Sequence, residues 1–392
     1  MGSGGDARTK EVMDSAVRAL RQGDAMGALV LLRRAEGDAP DDISLKMQIA
    51  AALRTLGDFP GALSALDSAL ALDPYLLLAL LSKGWIHEKL GQAREAAAIY
   101  RSALKIAPPD ERLPESLKAP VARARQAVRE DTQALEAHLR AGVAEVRSRL
   151  VGQKLDRFDE SLEVFAGKKK VFTSEPAYFH FPRLPADQFF DRDQFPWLPQ
   201  LEAATDIIRE ELVVVLREDM EELDPYIRYP PGAPVNQWVE LNHSPRWNSY
   251  FLWKNGERQD AHCARCPRTA EILAGLPMLD QPGFGPTAMF SVLAPHTRIP
   301  PHTGSANTRL VVHLPLILPA GCGFRVGADV RAWKMGEAWV FDDTIEHEAW
   351  NESDQTRTIL IFDVWNPYLT PAERELVTAM MAAKKNYTAS EG

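Results

Sequence analysis

Thr308-Arg309-Leu310-Val311-Val312-His313-Leu314-Pro315-Leu316 alternates two kinds of side chain. Successive residues of a β-strand point to opposite faces, so Arg309, Val311 and His313 share one face and Leu310, Val312 and Leu314 the other. The second face is apolar packing. The first carries a cation and an imidazole toward an interior, which is costly unless an anionic ligand or a water-filled site receives them. Runs at residues 288–293, 338–341 and 356–364, punctuated by Gly, Pro and Asn, read as further strands. Short strands at this spacing predict a C-terminal double-stranded β-helix, the jelly roll of cupin-like proteins, with a mouth where a metal can sit. Residues 201–216 read as one amphipathic helix within it.

The N-terminal part follows a different rule. Gly23, Gly57 and Gly91 are each 34 residues apart, and so are Ala28, Ala62 and Ala96, then Ala35, Ala69 and Ala103, then Pro40, Pro74 and Pro108. Small alanines allow two helices to approach, the glycines fall in the turn between them, and the prolines stop the second helix. The pattern resembles the tetratricopeptide repeat and implies an α-helical solenoid of three repeats over residues 9–110. Such a scaffold has no chemistry of its own and offers a concave face to a peptide or protein partner. Residues 111–170 read as a helical linker or cap, with Val121, Ala124, Val128 and Leu135 at helical spacing. Beyond residue 170 the composition shifts, since eight of the nine tryptophans lie there, so residues 171–385 form a second domain and the chain is a multidomain α + β protein.

Composition excludes several classes. A net charge of −9 without a basic stripe speaks against a nucleic-acid partner, and Lys168-Lys169-Lys170 reads as a solvated linker. Apolar runs such as residues 75–81 are too short to span a membrane, and residues 1–5 lack an apolar leader, so no membrane association and a cytoplasmic location are expected. Three cysteines make no disulfide framework and fit a reducing compartment. Cys263 and Cys266 form a C-x-x-C beside His262, but no second ligand pair accompanies them, so they read as ordinary thiols.

Two histidines stand out from the polar background. His302, in Pro301-His302-Thr303-Gly304, and His347, in Glu346-His347-Glu348, lie 45 residues apart with strands between them. Arg357 follows, and strand alternation points it inward beside Ile359 and Ile361. His243, Trp247 and Tyr250 could line a substrate groove or serve as aromatic core.

Three runs then carry a resemblance: Ser291 with Ile299-Pro300-Pro301-His302-Thr303-Gly304-Ser305-Ala306-Asn307-Thr308-Arg309-Leu310; Phe341-Asp342-Asp343-Thr344-Ile345-Glu346-His347-Glu348-Ala349-Trp350-Asn351; and Phe362-Asp363-Val364-Trp365. Over residues 175–380 the chain resembles the aspartyl/asparaginyl β-hydroxylase family. The resemblance implies an iron(II)- and 2-oxoglutarate-dependent oxygenase that uses O2. It implies His302 and His347 as metal ligands, Ser291 and Arg357 as the holders of the distal 2-oxoglutarate carboxylate, His313 near the metal-side carboxylate, and Arg309 as a substrate-facing basic residue. Imidazole suits iron(II), and an arginine fork suits a carboxylate.

Two features modulate that expectation. Gly304 stands where the common His-X-Asp/Glu…His site has its carboxylate, an absence the family shares; Asp342, Asp343 or Asp363 could replace it, or the Asp342-Asp343 pair could order the turn before His347. The missing carboxylate also leaves halogenation as a rival to hydroxylation. Val311 stands where animal members carry a second basic residue, which leaves open whether the substrate is an Asp/Asn side chain of a protein, a small molecule or a lipid. A tetratricopeptide adaptor with a degenerate jelly roll, or a metal-dependent cupin isomerase, are the readings from other classes.

Overall fold

The computed structural model describes residues 3–389, and side chains over 11–387. The chain divides into two compact units, Met1–Lys169 and Lys170–Gly392.

In the first unit, helices pair as the period requires: α1 (Ser3–Arg21) with α2 (Ala25–Asp38), α3 (Ile43–Thr55) with α4 (Phe59–Leu72), and α5 (Leu77–Lys89) with α6 (Ala93–Ile106). The turn glycines Gly23, Gly57 and Gly91 have φ of +86°, +80° and +73°, a left-handed backbone that only glycine adopts cheaply. Asp24, Asp42 and Asp58 cap the following helices, each accepting a bond from a backbone N–H three residues on. The repeated alanines are buried between helices. The long helix α7 (Glu115–Ser148) covers the end of the array, where Val121 and Ala124 pack with Tyr100 and Ala103. A short α8 (Asp156–Phe165) follows. The lysine run is a solvated segment at the boundary of the two units, with Lys168 and Lys170 exposed, and it also pairs with these helices: Lys168 bonds Glu136 at 3.0 Å and Glu163 at 3.3 Å, and Lys169 reaches Glu163 at 3.5 Å. Acidic residues on α7 and α8 supply the partners that the local sequence does not show.

The second unit is a jelly roll of two antiparallel sheets. The larger contains β1 (Asp224–Pro225), β2 (Trp247–Lys254), β3 (Glu257–Arg258), β4 (Ala288–Leu293), β6 (Arg309–Ile317), β9 (Trp339–Phe341) and β11 (Arg357–Trp365), in the order β1-β2-β4-β11-β6-β9 with β3 on β2. The smaller contains β5 (Thr297–His302), β7 (Cys322–Val326), β8 (Asp329–Arg331) and β10 (His347–Asn351), in the order β5-β10-β7-β8. Between the sheets lies an aromatic core that includes Trp247, Phe324, Trp333, Trp339 and Phe341.

The outer face of the large sheet carries Leu310, Val312 and Leu314, as the alternation requires, and packs on helices. These are α9 (Leu198–Ala203), α10 (Thr205–Glu218), α11 (Asp260–Arg265) and α12 (Pro267–Ala274); α13 (Pro371–Ala389) ends the unit. The single helix expected over residues 201–216 is two, broken at Ala204. There the Thr205 hydroxyl donates to the Glu202 carbonyl at 2.7 Å and the Ala204 N–H to Leu201, so the local turn competes with the helical ladder. Cys263, on α11, and Cys266, between α11 and α12, are buried, and burial pushes the Cys266 thiol up to about 12. No helix among the described residues is long and apolar enough to cross a membrane.

Candidate active site

β5 and β10 pair antiparallel in a register that sets His302 directly opposite His347. Their ring centroids are 4.1 Å apart with planes at 51°. Each ring is held by the backbone two residues earlier: His302 Nδ1 lies 2.8 Å from the Pro300 carbonyl and His347 Nδ1 3.1 Å from that of Ile345. A carbonyl only accepts, so Nδ1 carries the proton and Nε2 keeps its lone pair. Burial holds both rings neutral, lowering His302 to about 3, with His347 as the next cause, and His347 to about 4. Two neutral imidazoles with free lone pairs form a donor pair that a divalent transition metal accepts.

The histidines open into a cavity of about 570 Å³ between the sheets. At one end, Arg357 is 1% exposed, has no carboxylate partner among the described residues, and leaves Nε and Nη1 without an acceptor. Burial depresses its guanidinium to about 10. The Trp333 ring lies 5.1 Å from it, stacked in turn on Trp339 and Phe324. Ser291, from the neighbouring strand β4, accepts a bond from Trp247 Nε1 at 3.1 Å. His313 Nδ1 is also without a partner, and burial, followed by the nearby Arg357, pushes its pKa well down.

The other wall is built differently. Arg309 Nη2 donates to Asp343 Oδ2 at 2.8 Å, and Nη1 lies 3.8 Å from Asp363. Burial alone would lower the Arg309 pKa, but these two carboxylates raise it. The Arg309 charge, which the strand pattern assigns to an anionic ligand, is therefore met by the chain's own acids. Asp363 also accepts from the Thr287 N–H at 2.7 Å, and burial raises it to about 6.

Position 304 explains how Asp343 is placed. The Gly304 N–H donates to the Asp343 carbonyl at 2.6 Å, and a Cβ added at Gly304 would fall inside the space of the Asp343 carboxylate. Asp342 orders the same turn, accepting from the Thr344 N–H and hydroxyl at 2.9 and 2.5 Å. Asp342, Asp343 and Asp363 each have a carboxylate oxygen bonded within the wall, while Asp342 Oδ2 and Asp343 Oδ1 are buried without a hydrogen-bond partner; among the described residues no group of three or more His, Cys, Asp or Glu side chains is arranged to hold a metal ion.

All six residues singled out in the sequence, Ser291, His302, Arg309, His313, His347 and Arg357, line this one cavity. The aromatic trio divides: Trp247 lines it, Tyr250 faces the outer core and stacks on His262 at 4.0 Å, and His243 lies at the surface against the Tyr229 carbonyl. Sequence reading did not find Trp238, whose ring lies 4.9 Å from that of His302, or Trp333. Neither sits in a periodic pattern, because one lies at the end of a 3₁₀ turn and the other in a connection between strands.

The model of the family described as aspartyl/asparaginyl beta-hydroxylase matches residues 202–367. The chain is 32% identical over 206 residues to the ornithine lipid ester-linked acyl 2-hydroxylase of Rhizobium tropici, covering 52% of this chain and 69% of the relative. It is 36% identical over 141 residues to the human aspartyl/asparaginyl beta-hydroxylase, 36% of this chain but only 18% of the human protein's length. Among solved structures, the TPR domain of Arabidopsis OM64 is similar over 32% of this chain and 98% of that one, with a TM-score of 0.29 and 21% identity. By its match over most of the Rhizobium relative and by the matching family model, the chain belongs to the aspartyl/asparaginyl beta-hydroxylase family.

Proposed function

We propose that the jelly roll is an iron(II)- and 2-oxoglutarate-dependent oxygenase that hydroxylates a substrate carbon. The observation that carries this reading is Arg357: a buried guanidinium without a carboxylate partner among the described residues, in the same cavity as two neutral imidazoles. A buried charge of that kind needs an anion, and a carboxylate of the co-substrate supplies one.

The donor set fits. Nε2 of His302 and of His347 would hold the metal, each imidazole oriented by its Nδ1–H bond to the backbone. Arg357 would grip the distal carboxylate of 2-oxoglutarate through its fork, with the Ser291 hydroxyl donating beside it, since Trp247 occupies only that oxygen's acceptor side. His313 presents its unpartnered Nδ1 to the same end. When bound, iron and 2-oxoglutarate supply the oxidation, in which O2 is consumed, 2-oxoglutarate becomes succinate and CO2, and one oxygen atom enters the substrate. The aromatic walls of Trp238, Trp247, Phe324 and Phe341 keep water from the centre.

The names of the relatives suggest two kinds of substrate, an Asp/Asn side chain or an acyl chain. The repeats of the first unit are proposed to recruit a peptide or protein partner on their concave face. The test is direct: the full chain should bind one iron(II) and convert 2-oxoglutarate to succinate, and His302→Ala and His347→Ala should each abolish both. Turnover that survives either substitution would sink the assignment, and ¹⁸O₂ labelling of product, with and without chloride, separates hydroxylation from halogenation.

A further inference from the structure

His347 is flanked by two acids, Glu346 and Glu348, and while the imidazole lines the cavity neither acid does. One residue behind the strand gathers both. Arg325, directly opposite Glu348 on β7, donates from Nε to Glu348 at 2.6 Å, from Nη2 to Glu346 at 2.8 Å and from Nη1 to the Gly327 carbonyl at 2.7 Å. All three guanidinium nitrogens are thus engaged, and the Phe172 ring lies 5.7 Å from the guanidinium carbon. The second oxygen of Glu348 accepts from Arg298 Nη1, on β5, at 2.8 Å. A row of alternating charge, Arg298, Glu348, Arg325 and Glu346, therefore ties β5, β10 and β7 together behind the two histidines.

The strand pairing is irregular at this row. Against β7, β10 runs in an unbroken ladder, from His347 opposite Val326 to Asn351 opposite Cys322. Against β5 the register shifts, since His347 stands opposite His302 but Ala349 stands opposite Ile299. An irregularity of this kind disrupts the ladder locally. A slip of one residue would send an imidazole to the outer face and bring a glutamate into the cavity. Glu348, which lies between the shifted pairs, is the residue held from both neighbouring strands. Side-chain ion pairs thus fix a register that the β5–β10 backbone ladder leaves loose beside the histidines.

We propose that Arg325 is a positioning residue of the histidine pair: through Glu346 and Glu348, and with Arg298, it locks β5 and β10 in the register that brings the rings of His302 and His347 to 4.1 Å. The inference rests on the oxygenase reading for what the histidines hold, but not for the lock itself.

Cobalt(II) alone is the probe, titrated by calorimetry into the full metal-free chain. Removing a cation near the site and releasing two carboxylates would, by Coulomb attraction alone, tighten the binding of a dication. Positioning predicts the opposite sign. Arg325→Met should weaken cobalt(II) binding by about 10–100-fold, and Arg325→Lys, which keeps the charge but loses the fork, should fall between it and wild type. Arg192→Met breaks a two-bonded pair with Glu202 elsewhere in the jelly roll, so it should lower stability and leave cobalt(II) affinity unchanged. The metal-free readout is the nuclear Overhauser contact between the ring protons of His302 and His347, present in wild type and lost in Arg325→Met. If Arg325→Met does not fold, Glu348→Gln replaces it, because an amide nitrogen cannot accept and leaves one of the two arginines unmet. Where wild type binds cobalt(II), unchanged or tighter binding by the folded variant overturns the proposal, and so does a ring contact that survives the substitution. A ring contact that is lost with Arg325 in a chain that binds no cobalt(II) removes the oxygenase reading and leaves the lock standing.

Discussion

Arg309 and Arg357 are two arginines lining one cavity, on neighbouring strands, Arg309 half-buried and Arg357 fully buried, and they are built for opposite purposes. Arg309 is bonded to Asp343 and faces Asp363. Arg357 lies against the Trp333 ring, near the Cys322 thiol, and leaves Nε and Nη1 without a hydrogen-bond partner among the described residues. A guanidinium with its counter-ions supplied by the chain is part of the wall; one left without them is a receptor for an anion. The contrast teaches that residue type and a place in the cavity wall do not identify a binding arginine. Partnership does.

The largest expected effect breaks the wall end. Arg309→Ala leaves Asp343 and Asp363 buried without their cation, and breaking such a group costs roughly 3–5 kcal/mol. Urea unfolding should show that loss, and calorimetry on the folded fraction should show 2-oxoglutarate affinity nearly unchanged. A stable variant that no longer binds 2-oxoglutarate would exchange the roles assigned to the two arginines.

The second test uses the surplus acid at the same end. Asp342 is fully buried and burial raises it to about 7, from an ordinary value of 3.8. A carboxyl raised on folding gives stability that is fully present below 3.8 and is lost as pH rises toward 7, because the folded state then holds a proton that the unfolded state has released. Asp342→Asn removes this titration. The stability difference between variant and wild type should therefore move in the variant's favour by a few kcal/mol between pH 4 and pH 8. A difference independent of pH would show that Asp342 is ionised in the fold.

At the receptor end the signs reverse. Arg357→Met removes a buried cation that lacks a partner, so the unliganded protein should keep or gain stability. Its 2-oxoglutarate affinity should fall by about 10–150-fold, the equivalent of roughly 1.5–3 kcal/mol for a bond to a charged group. Thermal shift with and without 2-oxoglutarate reads both quantities in one experiment. Iron affinity should be spared, because the proposed metal ligands His302 and His347 are on other strands.

The same contrast marks what was legible in the sequence. The four strands expected at residues 288–293, 308–316, 338–341 and 356–364 appear as β4, β6, β9 and β11, since alternation and β-branched runs report a sheet with one packed face. The 34-residue period located the helices, their turns and their small interfaces. The inward faces of β6 and β11 were readable by parity, which is why Arg309, His313 and Arg357 were found. The partners of those residues were not. Asp343 reaches Arg309 only because Gly304 leaves it room, and Trp333 reaches Arg357 across a strand connection. Both are long-range contacts that no local period encodes. Sheet register was equally silent: nothing in the spacing of His302 and His347 says that they stand opposite each other.

The smallest effect comes from outside the cavity and serves as the reference for the others. Gly57 sits at φ +80° between α3 and α4, and a Cβ there would meet nothing within 4 Å. Gly57→Ala therefore costs only the left-handed backbone penalty of about 1–2 kcal/mol. Gly84, on α5, is the opposite case: its backbone is helical, but an added Cβ would enter the ring of Tyr100, whose hydroxyl is bonded to Glu88 at 2.7 Å. Alanine is the better helix former there, so the Gly84→Ala cost is overpacking, typically ~1–3 kcal/mol, offset in part by about 1 kcal/mol of helix propensity. The two changes separate by a third measurement. Tyr100→Ala should relieve Gly84→Ala and leave Gly57→Ala as it was, so a double-mutant cycle should give a coupling energy for the first pair and none for the second. Coupling of Gly57→Ala to Tyr100 would mean that the turn glycine is required by packing and not by its φ.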